Sequence, residues 1–163
     1  MYYYKIMPSP VGQLKLIASD QGLAAVLWEK DNLKRVKLEP IQEHNTHPLL
    51  IETQKQLQEY FEGTRTAFSL KLDFAGTEFQ KKVWQALLTI AFGETRSYGQ
   101  IAAQIGNNKA SRPVGAANGR NPISIIVPCH RVIGTSGQLT GFAGGLDVKA
   151  FLLKHEQRNS ILY

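Results

Sequence analysis

Cysteine is almost missing from this chain, with Cys129 standing alone among 163 residues. One thiol cannot close an internal disulfide, and it cannot supply a multi-cysteine metal site. Long apolar runs are missing too. Ile123 to Val127 is among the longest, far below the run of about 20 apolar residues that spans a bilayer. The opening Met1-Tyr2-Tyr3-Tyr4-Lys5 lacks the charged-then-apolar pattern of a secretory signal. No repeat or low-complexity stretch is visible. These absences point to a cytoplasmic protein with no membrane association, whose thiol is either a buried filler or a nucleophile.

What is present suits a soluble globular protein. The chain is long enough for one domain or two small ones with a genuine core. It carries 19 lysines and arginines against 13 acids, a formal charge of +6. Gathered on one face, that excess would attract a polyanion; scattered, it would only solvate the surface. Lys109, Arg112, Arg120 and Arg131 share the segment that holds Cys129.

The pattern predicts an α+β fold. Residues 1–73 read as a small amino-terminal α/β domain with a three-stranded antiparallel sheet. Its strands are Tyr2 to Met7, Gln13 to Ala18 and Leu23 to Trp28, with a turn at Asp20-Gln21-Gly22. Residues 29 to 46 are poorly patterned and read as a loop or an irregular edge. Pro48 opens a helix that Gly63 closes, with Leu50, Leu57 and Phe61 on one side. Phe68, Leu70 and Leu72 alternate as a strand would. His44 and His47, without cysteine partners, read as surface residues.

Composition shifts at Asp73-Phe74-Ala75-Gly76, and residues 74–163 read as a mainly helical domain. Thr77 to Gln80 and Ser97 to Gln100 both fit capping boxes. Phe79, Val83, Trp84 and Leu87 form a core stripe. The second box starts a short helix ended by Gly106. Ser111 is expected to cap another, with Pro113 in its first turn, giving a helix-turn-helix. Ile123 to Val127 read as a buried strand leading into Cys129. A last helix, Leu146 to His155, turns Val148, Phe151 and Leu152 inward, with Glu156 closing it.

The second helix of the pair is unusual for a DNA reader. Val114-Gly115-Ala116-Ala117-Asn118-Gly119 has almost none of the long polar side chains that reach base edges in the major groove. Small residues would let the helix press against a minor groove, with Arg112 as the one long cation able to enter a base stack. Close helix–helix packing explains the same residues, and the segment alone leaves both readings open.

A thiol with a pKa near 8.5 is only a few per cent thiolate at neutral pH, and the thiolate is the nucleophile. Beside Cys129 stands His130, which could take the proton through a water. Glu156 could orient the imidazole, as in a nucleophile–base–carboxylate relay. The account requires a sulfur that is both reachable and deprotonated by its neighbours.

The string Ile126-Val127-Pro128-Cys129-His130-Arg131-Val132 resembles the O6-alkylguanine-DNA alkyltransferase (methylated-DNA–protein-cysteine methyltransferase) family. The resemblance includes Asn121-Pro122-Ile123, Thr140 to Leu146, Leu152 to Glu156, Ser97 to Ala102 and Ser111 to Gly115, and is close over residues 74 to 156. It implies direct-reversal DNA repair: transfer of an alkyl group from O6-alkylguanine to Cys129, one reaction per molecule, because the thioether product has no carbonyl for water to attack. O4-alkylthymine is a further substrate that the family resemblance raises and the sequence leaves open. Cys129, His130, Glu156 and Asn121 would be catalytic, Asn121 pinning the cysteine turn to the helix-turn-helix. Tyr98 would crowd the 3′ phosphate, and Arg112 would fill the space left by a flipped nucleotide. Ser111, Val114, Gly115, Ala117 and Asn118 would line the minor-groove interface.

The carbonyls of Cys129 and Val132 would accept from the guanine amino group, and the Ala143 amide would donate towards O6. The partner would be double-stranded DNA. No cofactor or metal is expected, and a monomer in solution is. Phe142 stands where the family commonly has tyrosine. A missing hydroxyl donor is worth about 0.5–1.5 kcal/mol, hence a rate loss of about tenfold or less. A non-catalytic binder of alkylated DNA, a phosphotriester-sensing regulator and a papain-like hydrolase are the competing readings. The first lacks the thiol, the second needs a cysteine cluster, and the third wants cysteine and histidine far apart.

Overall fold

The computed structural model describes residues 1–32, 34–39 and 41–160. Leu33, Pro40 and residues 161–163, which fall within the stretches read above as a loop and as the end of the second domain, lie outside the described residues. Strands β1 (Tyr2–Met7), β2 (Leu14–Ala18) and β3 (Leu23–Trp28) pair antiparallel as expected. A fourth strand corrects the three-stranded reading. β4 (Ile41–Glu43) lies parallel to β1, and the sheet order is β3-β2-β1-β4. Three residues are too few to display a period of two, so this edge had no sequence signal.

Helix α1 (Pro48–Glu62) starts where the His47 ring accepts from the Leu49 amide, and it ends at Gly63 with φ of 83°. His47 is therefore a helix cap. The Phe68 to Leu72 alternation does not become a strand; only Leu72 pairs, as a parallel bridge to Leu23. Helices α2 (Glu78–Leu87) and α3 (Tyr98–Gln104) both begin at complete capping boxes, with Thr77 and Ser97 at the caps. α4 (Ser111–Gly119) differs from expectation at its start. Its cap is Ala110, which offers no side-chain acceptor, and Ser111 is already inside the helix.

Ile123 to Val127 is buried but is not a strand. Amide-to-carbonyl bonds from Ile126 to Ser124 (2.9 Å) and from Val127 to Ile123 (3.0 Å) fold it into a turn, with Ile125 at φ 72°. The chain then passes into a 3₁₀ turn, Cys129–Arg131, and a two-residue strand. That strand, β6 (Val132–Ile133), pairs parallel with β5 (Arg96–Ser97). α5 (Leu146–Ser160) runs beyond Glu156. Lys149, Leu152 and Glu156 are its buried residues, at helical spacing, while Phe151 is 40% exposed and contradicts the inward expectation.

One apolar core joins the two parts of the chain, from Leu14 and Trp28 in the sheet to Trp84, Val114, Cys129 and Leu152. The outer edge of β3 makes the junction. The Val26 amide donates to Pro122 O (2.9 Å), and its carbonyl accepts from Ser124 N (3.3 Å). The turn that presents Cys129 is thus docked, backbone to backbone, on the amino-terminal sheet. Among the described residues no helix is long and apolar enough to cross a membrane.

Candidate active site

Asn121 fixes the turn from within. Its side-chain amide donates to Val127 O (2.8 Å), and its Oδ1 accepts from the Ile123 amide (3.0 Å). Asn118, the penultimate residue of α4, donates to Cys129 O (3.3 Å). The link between the helix-turn-helix and the cysteine turn therefore runs through Asn118 as well as Asn121. Trp84 ties α4 to α2, its indole N–H donating to Ala117 O (2.9 Å).

Behind the cysteine lies a carboxylate with five hydrogen bonds. Glu156 Oε2 accepts from His130 Nε2 (2.6 Å), Tyr60 Oη (2.7 Å) and Arg131 Nη2 (3.1 Å). Its Oε1 accepts from Arg131 Nε (2.7 Å) and the Gly93 amide (3.2 Å). An ionised carboxylate only accepts, so the imidazole proton must sit on Nε2. Nδ1 is then the free base of His130, and it is buried without a partner. No direct bond joins it to the thiol among the described residues, which suits proton transfer through a water.

The charges follow from this geometry. Burial alone would push the Glu156 carboxyl up. The facing His130 imidazole and Arg131 guanidinium outweigh burial and hold it well below the usual carboxylate range. Burial lowers the His130 pKa, against the pull of Glu156, so the resting imidazole is neutral. Burial likewise raises the Cys129 thiol, and the Asn121 amide with the charges of Arg35 and Lys149 offsets this only in part. Cys129 is 5% exposed. At rest the sulfur is therefore shielded, and its surroundings favour the thiol over the thiolate. The resting site holds a shielded thiol beside a neutral base.

Four of these residues escaped the sequence reading of the site. Tyr60 and Gly93 have no local mark, because their partner lies far along the chain. Arg131 was read only as one of the cations of the Cys129 segment; it is buried and also donates to Ile90 O (2.6 Å). Lys149 is fully buried, its ammonium donating to Val132 O (2.7 Å) and Thr140 O (3.3 Å). A lysine on the inward stripe of a helix was the available signal.

The helix-turn-helix residues divide by face. Arg112 is exposed, Ser111 and Gly115 are half-buried, and Ala116 and Gly119 are exposed. Val114, Ala117 and Asn118 turn inward, so their side chains belong to the core and not to an outer DNA-facing surface as expected. The 3.6-residue repeat puts small residues on both sides, serving close packing on one and leaving a bare surface on the other. Tyr98 shares a short hydrogen bond with the Thr140 hydroxyl. Phe142 is half-buried against Trp28, and Ala143 is exposed. Among the described residues no cluster of three or more His, Cys, Asp or Glu could hold a metal ion.

Comparison with known proteins fits this arrangement. Residues 78–158 match the DNA binding domain of 6-O-methylguanine DNA methyltransferase, and residues 2–74 match its ribonuclease-like domain. The chain belongs to the 6-O-methylguanine DNA methyltransferase family. A methylated-DNA–protein-cysteine methyltransferase of Methanosarcina acetivorans is 52% identical, covering 94% of this chain and 97% of that one. Another, from Mycobacterium leprae, is 48% identical over 96% of this chain and 93% of that one. The crystal structure of Mycobacterium tuberculosis OGT in complex with DNA superposes with a TM-score of 0.89 at 45% identity, covering 96% of this chain and 94% of that one.

The buried pair of this methyltransferase-family site sets an acid limit on stability. The folded pKa of His130 is lowered from 6.5, so the unfolded state binds more protons below that pH and stability falls. Glu156 is depressed from 4.5, so its contribution, present above that pH, is lost on further acidification. Thermal melts from pH 8 to pH 3 should show a declining midpoint below about 6.5 and a steeper decline below about 4.5. Glu156→Gln should weaken the lower step. It should also cost about 3–5 kcal/mol at pH 7, because Arg131 is left buried without its counter-charge.

Proposed function

We propose that this chain repairs DNA by direct reversal, accepting the alkyl group of O6-alkylguanine in duplex DNA onto Cys129. The observation that carries the reading is the Cys129 turn itself. It is held by Asn121 and Asn118 against a helix-turn-helix and backed by a neutral His130 whose tautomer Glu156 fixes. Residues 1–73 act as the supporting unit and 74–163 as the DNA-binding and transfer unit. The protein works as a monomer in the cytoplasm, without a cofactor.

The bare outer face of α4 rests in the minor groove, where there is little sequence to read. Arg112, exposed at its first turn, enters the stack in place of the lesioned nucleotide. Tyr98 and Ser111 border the same face. The O6 atom lies inside the duplex, so extruding the base costs a few kcal/mol, offset by these contacts.

In the pocket, the Cys129 and Val132 carbonyls receive the guanine amino group. Val132 O already accepts from Lys149 and has a second lone pair to offer. The Ala143 amide points to O6, and Phe142 covers the ring. His130 Nδ1 takes the thiol proton through a water. Sulfur then bonds to the alkyl carbon as the carbon–O6 bond breaks. The electron pair leaves with guanine, which takes up a proton, so the charge gained by the imidazole is returned. The thioether is stable, and the molecule reacts once.

Intact mass after incubation with a duplex containing O6-methylguanine tests this. One methyl group should be gained on Cys129 per molecule and no more. Cys129→Ser should bind the duplex and gain nothing; mass gained elsewhere, or repeated turnover with an unmodified protein, would contradict the reading. Phe142→Tyr restores a donor near O6, so single-turnover transfer should quicken by up to about tenfold. An unchanged or slower rate would contradict a missing donor near O6.

A further inference from the structure

On the reading proposed above, Phe142 and Ala143 flank the pocket that brings O6 and its alkyl group to Cys129, and with Gly144 they form one wall of it. What lies behind that wall is a residue of the amino-terminal sheet. Trp28, the last residue of β3, is 6% exposed and shares the apolar core with Cys129. Its ring meets Phe142 edge-on, centroids 5.5 Å apart at 61°. Gly144 lies directly on the indole. A Cβ built there would fall 2.8 Å from both Cδ2 and Cε2 of Trp28 and 3.0 Å from Phe142 Cε2. Two of the three wall residues therefore rest on one side chain.

The backbone that carries this side chain is pinned. The Trp28 amide donates to Asp31 Oδ2 (3.3 Å), and the Asp31 amide donates back to Trp28 O (3.2 Å). Asp31 in turn holds Arg35 through two bonds (2.8 and 2.6 Å), and Arg35 Nη1 donates to Asn121 O (2.7 Å). One short stretch after β3 thus braces the loop wall through Trp28 and the cysteine turn through Arg35. Among the described residues the indole N–H has no partner, so Trp28 acts here by shape.

We propose that Trp28 is a specificity-determining residue: its indole backs the Phe142–Gly144 wall and so limits the size of alkyl group that fits against Cys129. A pocket wall in contact with a buried aromatic ring has less room behind it, because packed interiors feel a volume change of even one methylene. Trimming the support leaves room behind the loop, and the room is taken up by a bulkier adduct. A change of about one methylene in an apolar pocket alters discrimination by about 10-fold to 200-fold.

The test compares full-length wild type, Trp28→Phe and Trp28→Leu on two duplexes, one with O6-methylguanine and one with O6-benzylguanine. The rate of adduct formation on Cys129 is followed by intact mass. The benzyl-to-methyl rate ratio should rise from wild type through Trp28→Phe to Trp28→Leu, by about tenfold or more in the last. Both rates falling together, or neither changing, would overturn the proposal, since a merely structural role moves the two alike. Should Trp28→Leu fail to fold, Trp28→Phe carries the test, because it removes area without removing a hydrogen bond.

A second arm uses the contact itself. Gly144→Ala should slow methyl transfer by pressing the loop off the indole, and adding Trp28→Leu should restore it to within about twofold of Trp28→Leu alone. No recovery would overturn the contact as the cause. A wild-type protein that gains no mass from either duplex would sink the transfer reading along with this inference. Transfer with a fixed ratio would sink this inference only.

Discussion

Glu156 takes hydrogen bonds from His130 and Arg131 on the cysteine turn, from Tyr60 on α1, and from the Gly93 amide after α2. Each partner meets a requirement of the others. Arg131 keeps the carboxylate ionised despite its burial; the ionised carboxylate keeps the proton on Nε2; and that leaves Nδ1 to receive a proton from the thiol side. A buried charge is tolerated only when paired and fully hydrogen-bonded, and the five donors meet that condition. Removing any one of them leaves another buried polar group exposed to the same penalty. The orientation of His130 beside Cys129 therefore depends on an anchor buried behind it.

The second constraint is that the thiol is protonated at rest. Burial raises its pKa, while nearby cations and the Asn121 amide moderate the rise without reversing it. A shielded thiol beside a neutral imidazole is inert toward adventitious electrophiles and toward oxidation, which follow thiolate character and exposure. For a protein that reacts once, that inertness protects its single equivalent. Reactivity is then tied to arrival of the substrate, with a water linking sulfur to Nδ1 as the alkyl carbon is presented. The β3 edge, by holding the turn through Val26, keeps the cysteine turn in place.

The features that were legible in the sequence are local ones. Both capping boxes, the helix of residues 48 to 62 and the antiparallel hairpins depend on neighbours within a few residues, and the side-chain types declare them. The Cys129–His130–Glu156 set was also readable, partly from chemistry and partly from family resemblance. Tyr60, Gly93 and Arg131 were not, since their common partner is brought to them only by tertiary folding. The run Ile123 to Val127 illustrates the limit of hydrophobic patterning. A short apolar segment is equally consistent with a buried strand or a buried turn, and Ile125 in the left-handed region decides for the turn. Val114, Ala117 and Asn118 show a similar ambiguity. Small residues permit close approach on either face of a helix, and only the fold says which face meets the core.

The tautomer of His130 tests the central claim most directly. Nitrogen-15 NMR of histidine-labelled protein at pH 7 should show His130 neutral, with a protonated Nε2 and an unprotonated Nδ1. A proton on Nδ1, or an imidazolium with both nitrogens protonated, would contradict the account, because the buried ring would then have no base to offer the thiol.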